Sequence, residues 1–513
     1  METKFIVPKS PHFGTYKSIP LYEKTLLYCR FLSTQTCGVF HFTLLYICFC
    51  RDGKRLAESL NGEIMKNKFI TKINLFLLFS MMFAVGAAQQ VSAATWTVTK
   101  IADTDDNVCN ADCSLREAVA ASQNSDVINF HPNLAGTQIT LTGSISISKS
   151  ITINGNKKIR ISGNDTVRIF GIGGNASVKM NNLDLGNAYI NNQPSPWTGV
   201  GGAIFVVYAS LELDNCYIHN SSSYSSGAGI AVVDSVLVVN NSLIAANKAN
   251  AGGGGIFAHS SRVKIDNTRF NLNSAAASGG GLAIMGGTLE MTDSSVYKSS
   301  SGTGGGAMYL YGDDTSVFTV KDSAIHNNNS KTAGGVYLTG GKMNLINSTL
   351  SNNQATAGSG GGLVSDGDAF LRNVTVTMNK ASGDAGGVDS ISGDVNFGNT
   401  VIAGNLSGNN YSRDIKGIFT SAGYNVVGQF DNAFLFGDLT GVQFSVADPM
   451  LNPLTYNGSQ TLNHLPKPGS PVINTGSTTL AVDESNNPLL FDQRGFGRIN
   501  GFTVDIGAVE TLN

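Results

Sequence analysis

A glycine-rich repeat of about 26 residues, running from about Gly199 to Asn405, constrains the fold of this chain most strongly. Each repeat has an asparagine or aspartate at the same place, and these residues lie 25 to 29 positions apart: Asn215, Asn241, Asn267, Asp293, Asp322, Asn347, Asn373 and Asn399. A fixed period between 20 and 50 residues indicates a solenoid, a propeller or another repeat array.

Apolar residues keep step with this column. They stand after the glycine runs (Ile204, Ile230, Ile256, Leu282, Ala307, Val336, Leu363, Val388), two before the Asn/Asp (Leu213, Val239, Ile265, Met291, Val320, Leu345, Leu371, Phe397) and three after it (Ile218, Ile244, Phe270, Val296, Ile325, Leu350, Val376, Ile402). Alternation with period two buries one face of a strand. A helical period is missing, and a propeller blade needs ~40 residues. The pattern predicts an all-β parallel β-helix with one repeat per coil, stacked at ~4.8 Å.

The polar column has a physical explanation. Asparagine tolerates left-handed backbone geometry at a corner, and stacked amides can bond each other as a ladder. We predict a structural ladder, with a second column at Asn247, Asn273, Asn328, Asn353, Asn379 and Asn405 in support. Some of these sites also fit the Asn-x-Ser/Thr pattern, so glycosylation is the alternative. The predicted ladder residues are Asn215, Asn241, Asn267, Asn347, Asn373 and Asn399.

The composition suits an extracellular solenoid. Glycine contributes 60 of the 513 residues, and charged residues contribute only 14%, which fits short stacked strands joined by tight turns. Residues 94–513 hold 23 basic and 31 acidic side chains, a formal net charge of −8. A mildly acidic chain argues against nucleic acid as a partner.

Three of the seven cysteines, Cys109, Cys113 and Cys216, lie after residue 65. Cys109 and Cys113 are close enough in sequence to pair, which would suit an oxidising compartment; two free thiols are the alternative. Two cysteines without further ligands do not make a structural zinc site. We expect Cys216 to be a small buried side chain.

Residues 65–93 have the order of a secretory signal peptide, with a basic start, an apolar run of about 16 residues and the small residues Val91-Ser92-Ala93. The apolar run is short for a bilayer span of ~20 residues, so we predict cleavage near Ala94, with a membrane anchor as the alternative. A signal peptide starting at Met65 makes residues 1–64 a doubtful upstream extension, with a genuine extension as the alternative.

Different segments flank the repeats. Within residues 94–130, Ser114 and Glu117 have the spacing of a capping box, so we predict a short helix that caps the N-terminal end of the solenoid. The coils then occupy residues 131–405. Residues 406–513 lose the period and become rich in turns and proline, which predicts an irregular C-terminal β region.

Motifs at both ends resemble known bacterial families. Residues 113–118 (Cys-Ser-Leu-Arg-Glu-Ala) match the signature of the CSLREA domain. The middle of the chain resembles the right-handed parallel β-helix (pectin lyase-like) superfamily. The C-terminal region is similar to the choice-of-anchor Q domain at residues 448–451 (Asp-Pro-Met-Leu), 469–473 (Gly-Ser-Pro-Val-Ile), 492–495 (Asp-Gln-Arg-Gly) and 505–510 (Asp-Ile-Gly-Ala-Val-Glu).

These resemblances imply location and architecture more strongly than chemistry. Members of the families are secreted or cell-surface bacterial proteins, mostly without an assigned activity, and the superfamily's coils are right-handed. Family members commonly carry an anchoring tail after this domain, whereas this chain stops at Asn513. We expect contact with a membrane only through the signal peptide or an anchor.

The superfamily includes polysaccharide lyases and hydrolases, which directs attention to two sets of residues. Asp313 and Asp314 lie in a Gly-Asp-Asp sequence that resembles one polygalacturonase motif, and inverting hydrolysis uses two carboxyl groups ~6.5–9.5 Å apart. The partner motifs of that family are missing, so a solvated loop is the alternative. A lyase needs cations to neutralise a uronate, for which Arg262 and Lys264, near Arg269, are candidates; a solvated face is the alternative.

Metal binding is weakly indicated. Residues 103–114 begin like a calcium loop, but Val108 replaces the required glycine and Ser114 the bidentate glutamate. A structural calcium ion at this loop is the alternative to our expectation of no cofactor. His219 and His326 occupy equivalent outward positions about four coils apart, too far to share a metal.

Two functional hypotheses follow. The first is a non-enzymatic surface or secreted β-helix that contacts extracellular glycans or surface proteins through its long lateral faces. The second is a polysaccharide lyase or glycoside hydrolase. A groove lined by carboxylates, arginine or lysine, with aromatic residues for sugar stacking, would favour the enzyme.

Overall fold

A computed structural model describes residues 93–156, 159–191, 199–408, 414–430 and 433–511. All of them fall within one compact unit, Val91–Asn513. The proposed upstream extension at residues 1–64 lies outside the described residues, as does the predicted signal peptide except for its last residue. No helix among the described residues is long and apolar enough to cross a lipid bilayer.

The described residues confirm the parallel β-helix. Each coil passes three faces, which we call face 1, face 2 and face 3, and strands of successive coils pair in parallel. The strands of face 1 are Thr95–Val98, Val127–Phe130, Ile145–Ile147, Thr152–Asn154, Phe170–Ile172, Ser177–Asn181, Ile204–Val207, Ser210–Asp214, Ile230–Val233, Val236–Asn240, Ile256–Asp266, Leu282–Thr292, Met308–Tyr311, Val317–Lys321, Val336–Ile346, Leu363–Arg372, Val388–Ser392, Val395–Gly398, Ile415–Ala422 and Ala433–Asp438.

Faces 2 and 3 have shorter strands. Those of face 2 are Gln138–Thr140, Arg160–Ser162, Asp184–Gly186, Tyr217–His219, Leu243–Ala245, Arg269–Asn271, Ser295–Tyr297, Ala324–His326, Thr349–Ser351, Thr375–Thr377, Val401–Ile402 and Val426–Val427. Those of face 3 are Tyr189–Ile190, Ser222–Ser223, Lys248–Ala249, Ser274–Ala275, Ser300–Ser301, Asn329–Ser330, Gln354–Ala355, Lys380–Ala381 and Leu406–Ser407.

The register of the coils follows the apolar columns, with one correction. Val239 pairs with Ile265, and Ile265 pairs with Met291, as the repeat predicts. The sequence analysis placed Ala307 in the first column, but Met308 pairs with Leu282 and occupies that place. Both residues are apolar and fully buried, so hydrophobicity alone could not separate them.

The corner between faces 1 and 2 has left-handed backbone geometry, with φ of 52° at Asn215 and 49° at Asn241. Hydrogen bonds between side-chain amides join asparagines of this column in pairs. Asn215 Nδ2 donates to Asn182 Oδ1 at 2.5 Å, and Asn267 Nδ2 donates to Asn241 Oδ1 at 2.8 Å. Asn399 Nδ2 likewise donates to Asn373 Oδ1 at 3.1 Å, whereas Asn347 Nδ2 donates to the carbonyl of Phe491 at 2.8 Å.

The second asparagine column carries a longer ladder at the corner between faces 2 and 3. Asn328 Nδ2 donates to Asn353 Oδ1 at 2.9 Å, Asn353 to Asn379 at 2.9 Å and Asn379 to Asn405 at 2.9 Å. Asn405 Nδ2 donates to Asp414 Oδ1 at 2.9 Å. These side chains are buried, so the ladder satisfies polar groups that would otherwise cost about 1–3 kcal/mol each.

The glycine runs form the turn that returns the chain to face 1. Gly253 has a φ of +65°, which glycine adopts without strain. A Cβ atom at Gly254 would lie 2.4 Å from the carbonyl oxygen of Ser274. The turn backbones therefore pack too closely for any side chain, which explains why the glycines recur with the coil.

The helix predicted near the N-terminal end of the solenoid is present. Helix α1, Leu115–Ala121, starts with a capping box in which Ser114 Oγ accepts from Glu117 N at 3.1 Å and Glu117 Oε2 accepts from Ser114 N at 2.7 Å. Leu115 is buried in the common core. A disulfide joins Cys109 to Cys113, and Cys216 is a buried free thiol.

The C-terminal residues 449–511, here called the cover, have little regular structure. A short 3-10 helix at Thr478–Leu480 and isolated antiparallel bridges such as Thr455 with Asn463 are their regular features among the described residues. The cover packs back on the later coils of face 2, where Leu451, Val472 and Ile506 form a second apolar cluster with Val401.

Candidate active site on face 2

The outward side chains of face 2 change character along the rod. At the first residue of each strand, the side chain is exposed or half-buried from the first strand to the sixth, and it is buried from the seventh onward although it points away from the core. The first group is Gln138, Arg160, Asp184, Tyr217, Leu243 and Arg269; the second is Ser295, Ala324, Thr349, Thr375, Val401 and Val426.

The cover causes this change. Gln493 Oε1 accepts from Thr349 Oγ1 at 2.6 Å, and the backbone N–H of Ala508 donates to Thr375 Oγ1 at 3.0 Å. The ring of His464 contacts Ser351 Oγ at 2.9 Å. Among the described residues, face 2 up to Arg269 is free of the cover apart from one contact, between Arg269 and Gln460.

The uncovered coils form what we call the open groove, a depression of about 520 Å³. Its walls combine amides, two tyrosines and charged groups, and no part of it is strongly apolar. The lining residues are Asn182, Leu183, Asp184, Asn215, Cys216, Tyr217, Asn241, Ser242, Leu243, Asn267, Arg269, Asn271, Tyr297 and Gln460.

Four side chains form a cluster at the N-terminal end of the open groove, and two of them, Asp184 and Tyr217, line it. His219 Nε2 lies 2.7 Å from Asp184 Oδ1, and Arg160 Nε donates to Asp184 Oδ2 at 3.2 Å. The ring of Tyr217 stacks on the imidazole of His219 with centroids 4.1 Å apart. His219 is buried beneath Tyr217, while Arg160 extends into solvent.

Gly186 makes this cluster sterically feasible. It lies in the coil before His219 and pairs with it across the sheet. A Cβ atom at Gly186 would lie 2.6 Å from His219 Cε1. Any larger residue would therefore push the imidazole away from Asp184.

The environment shifts the pKa values of two of these groups, Asp184 and Tyr217. Burial alone would raise the pKa of Asp184, but the hydrogen bond with His219 and the electrostatic interactions with His219 and Arg160 outweigh it and lower the pKa below 3.8. Burial and the neighbouring Asp184 carboxylate raise the pKa of Tyr217 above 10.0. Near neutral pH, Asp184 is therefore ionised and the Tyr217 phenol carries its proton.

Arg269 lies at the other end of the open groove. Its guanidinium is exposed, forms no ion pair within the described residues, and makes a long hydrogen bond of 3.5 Å to Gln460 Oε1 in the cover. Tyr297, on the next coil, stacks on His326 with ring centroids 5.1 Å apart. A cation and an aromatic ring thus mark the point where the cover begins.

The residues predicted from sequence lie elsewhere. Arg262 and Lys264 line a separate groove of about 750 Å³ on face 1, next to Asp483 of the cover. Lys264 Nζ is paired with Glu290 Oε1 at 3.0 Å. Arg262 and Lys264 therefore share a coil with Arg269 but not a face.

Asp313 and Asp314 lie in an exposed turn between two strands of face 1. The carboxylate of Asp313 accepts from Thr315 N at 3.0 Å and from Ser316 Oγ at 3.0 Å. The hydrogen bonds with Thr315 and Ser316 lower the pKa of Asp313 below its ordinary value. These contacts give Asp313 a turn-forming role.

The acidic loop before helix α1 is held by protein cations. Arg116 forms an ion pair with Asp103 at 2.7 Å, and Lys100 pairs with Glu117 at 3.3 Å. Among the described residues, no group of three or more His, Cys, Asp or Glu side chains could hold a metal ion.

Sequence reasoning missed the cluster around Asp184. The sequence pattern indicates His219 only as a possible metal ligand, and Asp184 lies before the regular repeats begin at about Gly199. A usable signal was present, since Asp184 and Tyr217 are paired outward neighbours, as are Gly186 and His219.

The fold matches known proteins. Residues 202–381 match the family described as "Right handed beta helix region", which with the strand topology identifies a right-handed parallel β-helix. Among solved structures, the chain is similar to a pectate lyase, with 15% identity and a TM-score of 0.40 over 83% of this chain and 98% of that one. It is also similar to a mannuronic acid specific polysaccharide family 6 lyase from human gut microbiota, with 12% identity and a TM-score of 0.28 over 67% and 83%. No curated protein matches the sequence.

Proposed function

We propose that the protein is a carbohydrate-active β-helix that binds an acidic polysaccharide along the open groove. The observation that carries this proposal is the row of exposed and half-buried polar, charged and aromatic side chains from Arg160 to Tyr297 on a face whose later strands are covered. Four strand spacings separate Arg160 from Arg269, about 19 Å at ~4.8 Å per step. This length accommodates several saccharide units of an extended chain.

The charge of the groove supports an acidic ligand. Arg269 has five N–H donors in a planar fork that matches a carboxylate, and its present contact is a single long bond to Gln460. Arg160 shares its charge with Asp184 but is about half exposed. A uronic acid carboxylate could replace the weak Gln460 contact with a charge-assisted bond, which contributes about 1.5–3 kcal/mol.

The tyrosines suit the apolar faces of sugar rings. Tyr217 and Tyr297 each have one ring face against a histidine and are half-buried. Asn182, Asn215 and Asn241 line the groove beside them. Rigid aromatic platforms surrounded by amides combine stacking with hydrogen bonds to hydroxyl groups.

The cluster around Asp184 favours cleavage of the bound chain over binding alone. In a lyase reaction, a base takes the proton beside the uronate carboxylate, a cation neutralises that carboxylate, and the departing oxygen receives a proton. Asp184, which is ionised near neutral pH, is the base that the cluster offers, Arg160 suits the second task, and the protonated Tyr217 phenol suits the third. His219 acts as a positioning residue that holds Asp184 and Tyr217. A non-catalytic glycan-contact scaffold is the second candidate, because the groove is wide and open.

We also propose that the protein acts outside the cytoplasm. The signal-like residues 65–93 and the resemblance of residues 113–118 to the CSLREA signature support this location. The C-terminal resemblance to the choice-of-anchor Q domain supports a secreted or cell-surface location, and the Cys109–Cys113 disulfide fits an oxidising compartment.

The test uses purified protein with polygalacturonate and alginate as acidic polymers and dextran as the neutral control. Calorimetry measures binding, and ultraviolet absorbance follows the unsaturated uronate that a lyase would release. We expect binding to at least one acidic polymer and none to dextran. Arg269→Gln should weaken binding about tenfold, since it removes about 1.4 kcal/mol or more.

Lys264→Gln is the matched control, because it also removes one exposed cation but lies on face 1. It should leave binding unchanged, and both variants should melt at the temperature of the unmodified protein. Binding with new absorbance assigns the lyase, binding with new reducing ends but no new absorbance assigns a hydrolase, and binding with neither assigns the glycan scaffold. Failure to bind either acidic polymer, or equal losses in both variants, would refute the proposal.

A further inference from the structure

The open groove is closed at one end and open at the other. We propose that it therefore binds the end of a polysaccharide chain, with the terminal saccharide against Gln460 and Tyr297 and the polymer leaving past Arg160. This inference rests on the proposed function and deepens it, because it predicts end recognition in place of binding anywhere along the polymer.

At the closed end, the exposure of the outward side chains falls sharply from one coil to the next. Arg269 is exposed, whereas its neighbour in the next coil, Ser295, is 5% exposed, and Ala324 after it is fully buried. Face 2 itself continues in both directions with the same register. The cover alone prevents an extended chain from continuing past Arg269.

The wall is held firmly. It is the hairpin at residues 455–463, called the end hairpin, which closes through the bridge of Thr455 with Asn463. Thr461 Oγ1 donates to the carbonyl of Asp322 at 3.3 Å, and Gln493 Nε2 donates to Thr461 Oγ1 at 3.0 Å. Thr461 is 1% exposed. A ligand would have to remove these buried contacts in order to displace the hairpin.

Among the described residues, no segment forms such a wall at the opposite end. The open groove shares Asp184 with a second depression of about 510 Å³, lined by residues 135–138, Ile159 and Arg160. Gln138, the first outward residue of face 2, is exposed. A chain that enters from solvent can therefore run over Gln138 and Arg160 into the groove.

The closed end carries the groups that a terminal saccharide needs. The side-chain oxygen of Asn271 is buried and accepts no hydrogen bond within the described residues. Gln460 is exposed, and Tyr297 presents a half-buried ring. A sugar hydroxyl that donates to Asn271 would satisfy a buried acceptor, and unsatisfied acceptors are costly.

The experiment measures how many protein molecules bind each polymer chain. Size-fractionated uronic acid polymers, one short and one several times longer, are titrated with the unmodified protein and followed by light scattering. End recognition predicts one protein per chain at both lengths. Binding along the chain predicts a stoichiometry that increases with length, and that result would overturn the inference.

The two proposals fail differently. A stoichiometry proportional to length, with Arg269→Gln still weakening binding, removes end recognition and leaves the proposed function intact. Absence of binding at both lengths removes the proposed function and this inference with it. Chains reduced at their reducing terminus identify which end enters, since loss of binding assigns the reducing end and retention assigns the other.

A matched pair of variants tests the wall itself. A uronic acid disaccharide is short enough to occupy only the closed end, so Gln460→Ala should weaken its binding about five- to tenfold by removal of one or two hydrogen bonds. Gln354→Ala makes the same change on an exposed site of face 3 and should have no effect. Equal binding by both variants would contradict the placement of the terminal saccharide at Gln460.

Discussion

The open and covered parts of face 2 have the same backbone but different surroundings. At the first residue of each strand, the outward side chains of the open part are mostly large or charged, as at Arg160, Tyr217 and Arg269, and those of the covered part are smaller, as at Ala324 and Thr349. Both parts keep the same parallel register. An outward position of a solenoid is therefore not always a solvent position, and the size of its side chains indicates whether another segment docks there.

Equivalent histidines show the same contrast. His219, in the open part, contacts the carboxylate of Asp184. His326 stands at the equivalent position near the cover and contacts Asn327 Oδ1 at 2.8 Å. Burial lowers the pKa of His326 below 6.5, although the bond to Asn327 opposes this. The same position of the coil therefore contacts a charged carboxylate in the open part, at His219, and a neutral amide near the cover, at His326.

The largest expected effect comes from detaching the cover. Arg498 is fully buried, lies 3.2 Å from Glu510 and donates to Asn373 Oδ1 at 2.8 Å. Arg498→Ala leaves buried acceptors without their cation and should lower the free energy of unfolding by about 3–5 kcal/mol. Chemical unfolding measures the loss, and limited proteolysis should cut first within the cover. An unchanged unfolding midpoint with a protected cover would contradict this role.

A smaller effect on stability is expected when the same substitution is made at equivalent outward positions in the covered and open parts of face 2. Ala324→Arg introduces a long cation beneath the cover and should cost about 2–3 kcal/mol, because local undocking relieves part of the clash. Leu243→Arg makes the same change in the open part and should stay within about 0.5 kcal/mol. Thermal melts of both variants provide the measurement. Similar melting temperatures would mean that the cover does not seal face 2 in solution.

The smallest effect concerns two aspartates that titrate in opposite directions. Burial raises the pKa of Asp322 from 3.8 to about 7, although the hydrogen bond with Asn347 opposes this. The folded state therefore holds this proton more tightly, so stability falls as pH rises from about 4 to 7. Asp322→Asn should stabilise the protein above pH 7 and leave its stability unchanged in acid.

Asp184 has the opposite effect on the pH dependence of stability, because its folded-state pKa is lowered. Its contribution is present above the unfolded-state pKa and is lost as pH falls through the lower, folded-state value. Asp184→Asn should destabilise the protein at neutral pH by less than about 1 kcal/mol, since the pair is partly exposed. Unfolding curves across pH test both variants, and effects of the same sign would contradict the assignment.

Much of the fold was predictable because it depends on local rules repeated in register. The inward column through Ile265 and the corner column through Asn241 follow from strand alternation and left-handed corners. The candidate site was less predictable. Arg262 and Lys264 were chosen because they are close in sequence to Arg269, but the corner at Asn267 turns the chain onto another face. Sequence proximity across a corner does not bring side chains together.

The C-terminal motifs show a similar limit. Asp492 and Glu510 were noticed for their family resemblance, and in the structure both are buried in the cover, where Asp492 pairs with Arg494 at 2.7 Å and Glu510 lies near Arg498. Their carboxylates hold the cover in shape. No local pattern assigns these partners, because they are brought together by irregular turns.

The sequence by itself determined the coil, its register and its inward side. A period of about 26 residues with alternating apolar positions buries all of its apolar columns only when successive repeats stack in register. Only the tertiary structure decided which outward side chains meet solvent. That outcome depends on where residues 449–511 return, and the return is fixed by contacts over long sequence separations, such as Gln493 with Thr349 and Arg498 with Asn373. The open groove remains uncovered because this returning segment reaches along face 2 no further than Gln460.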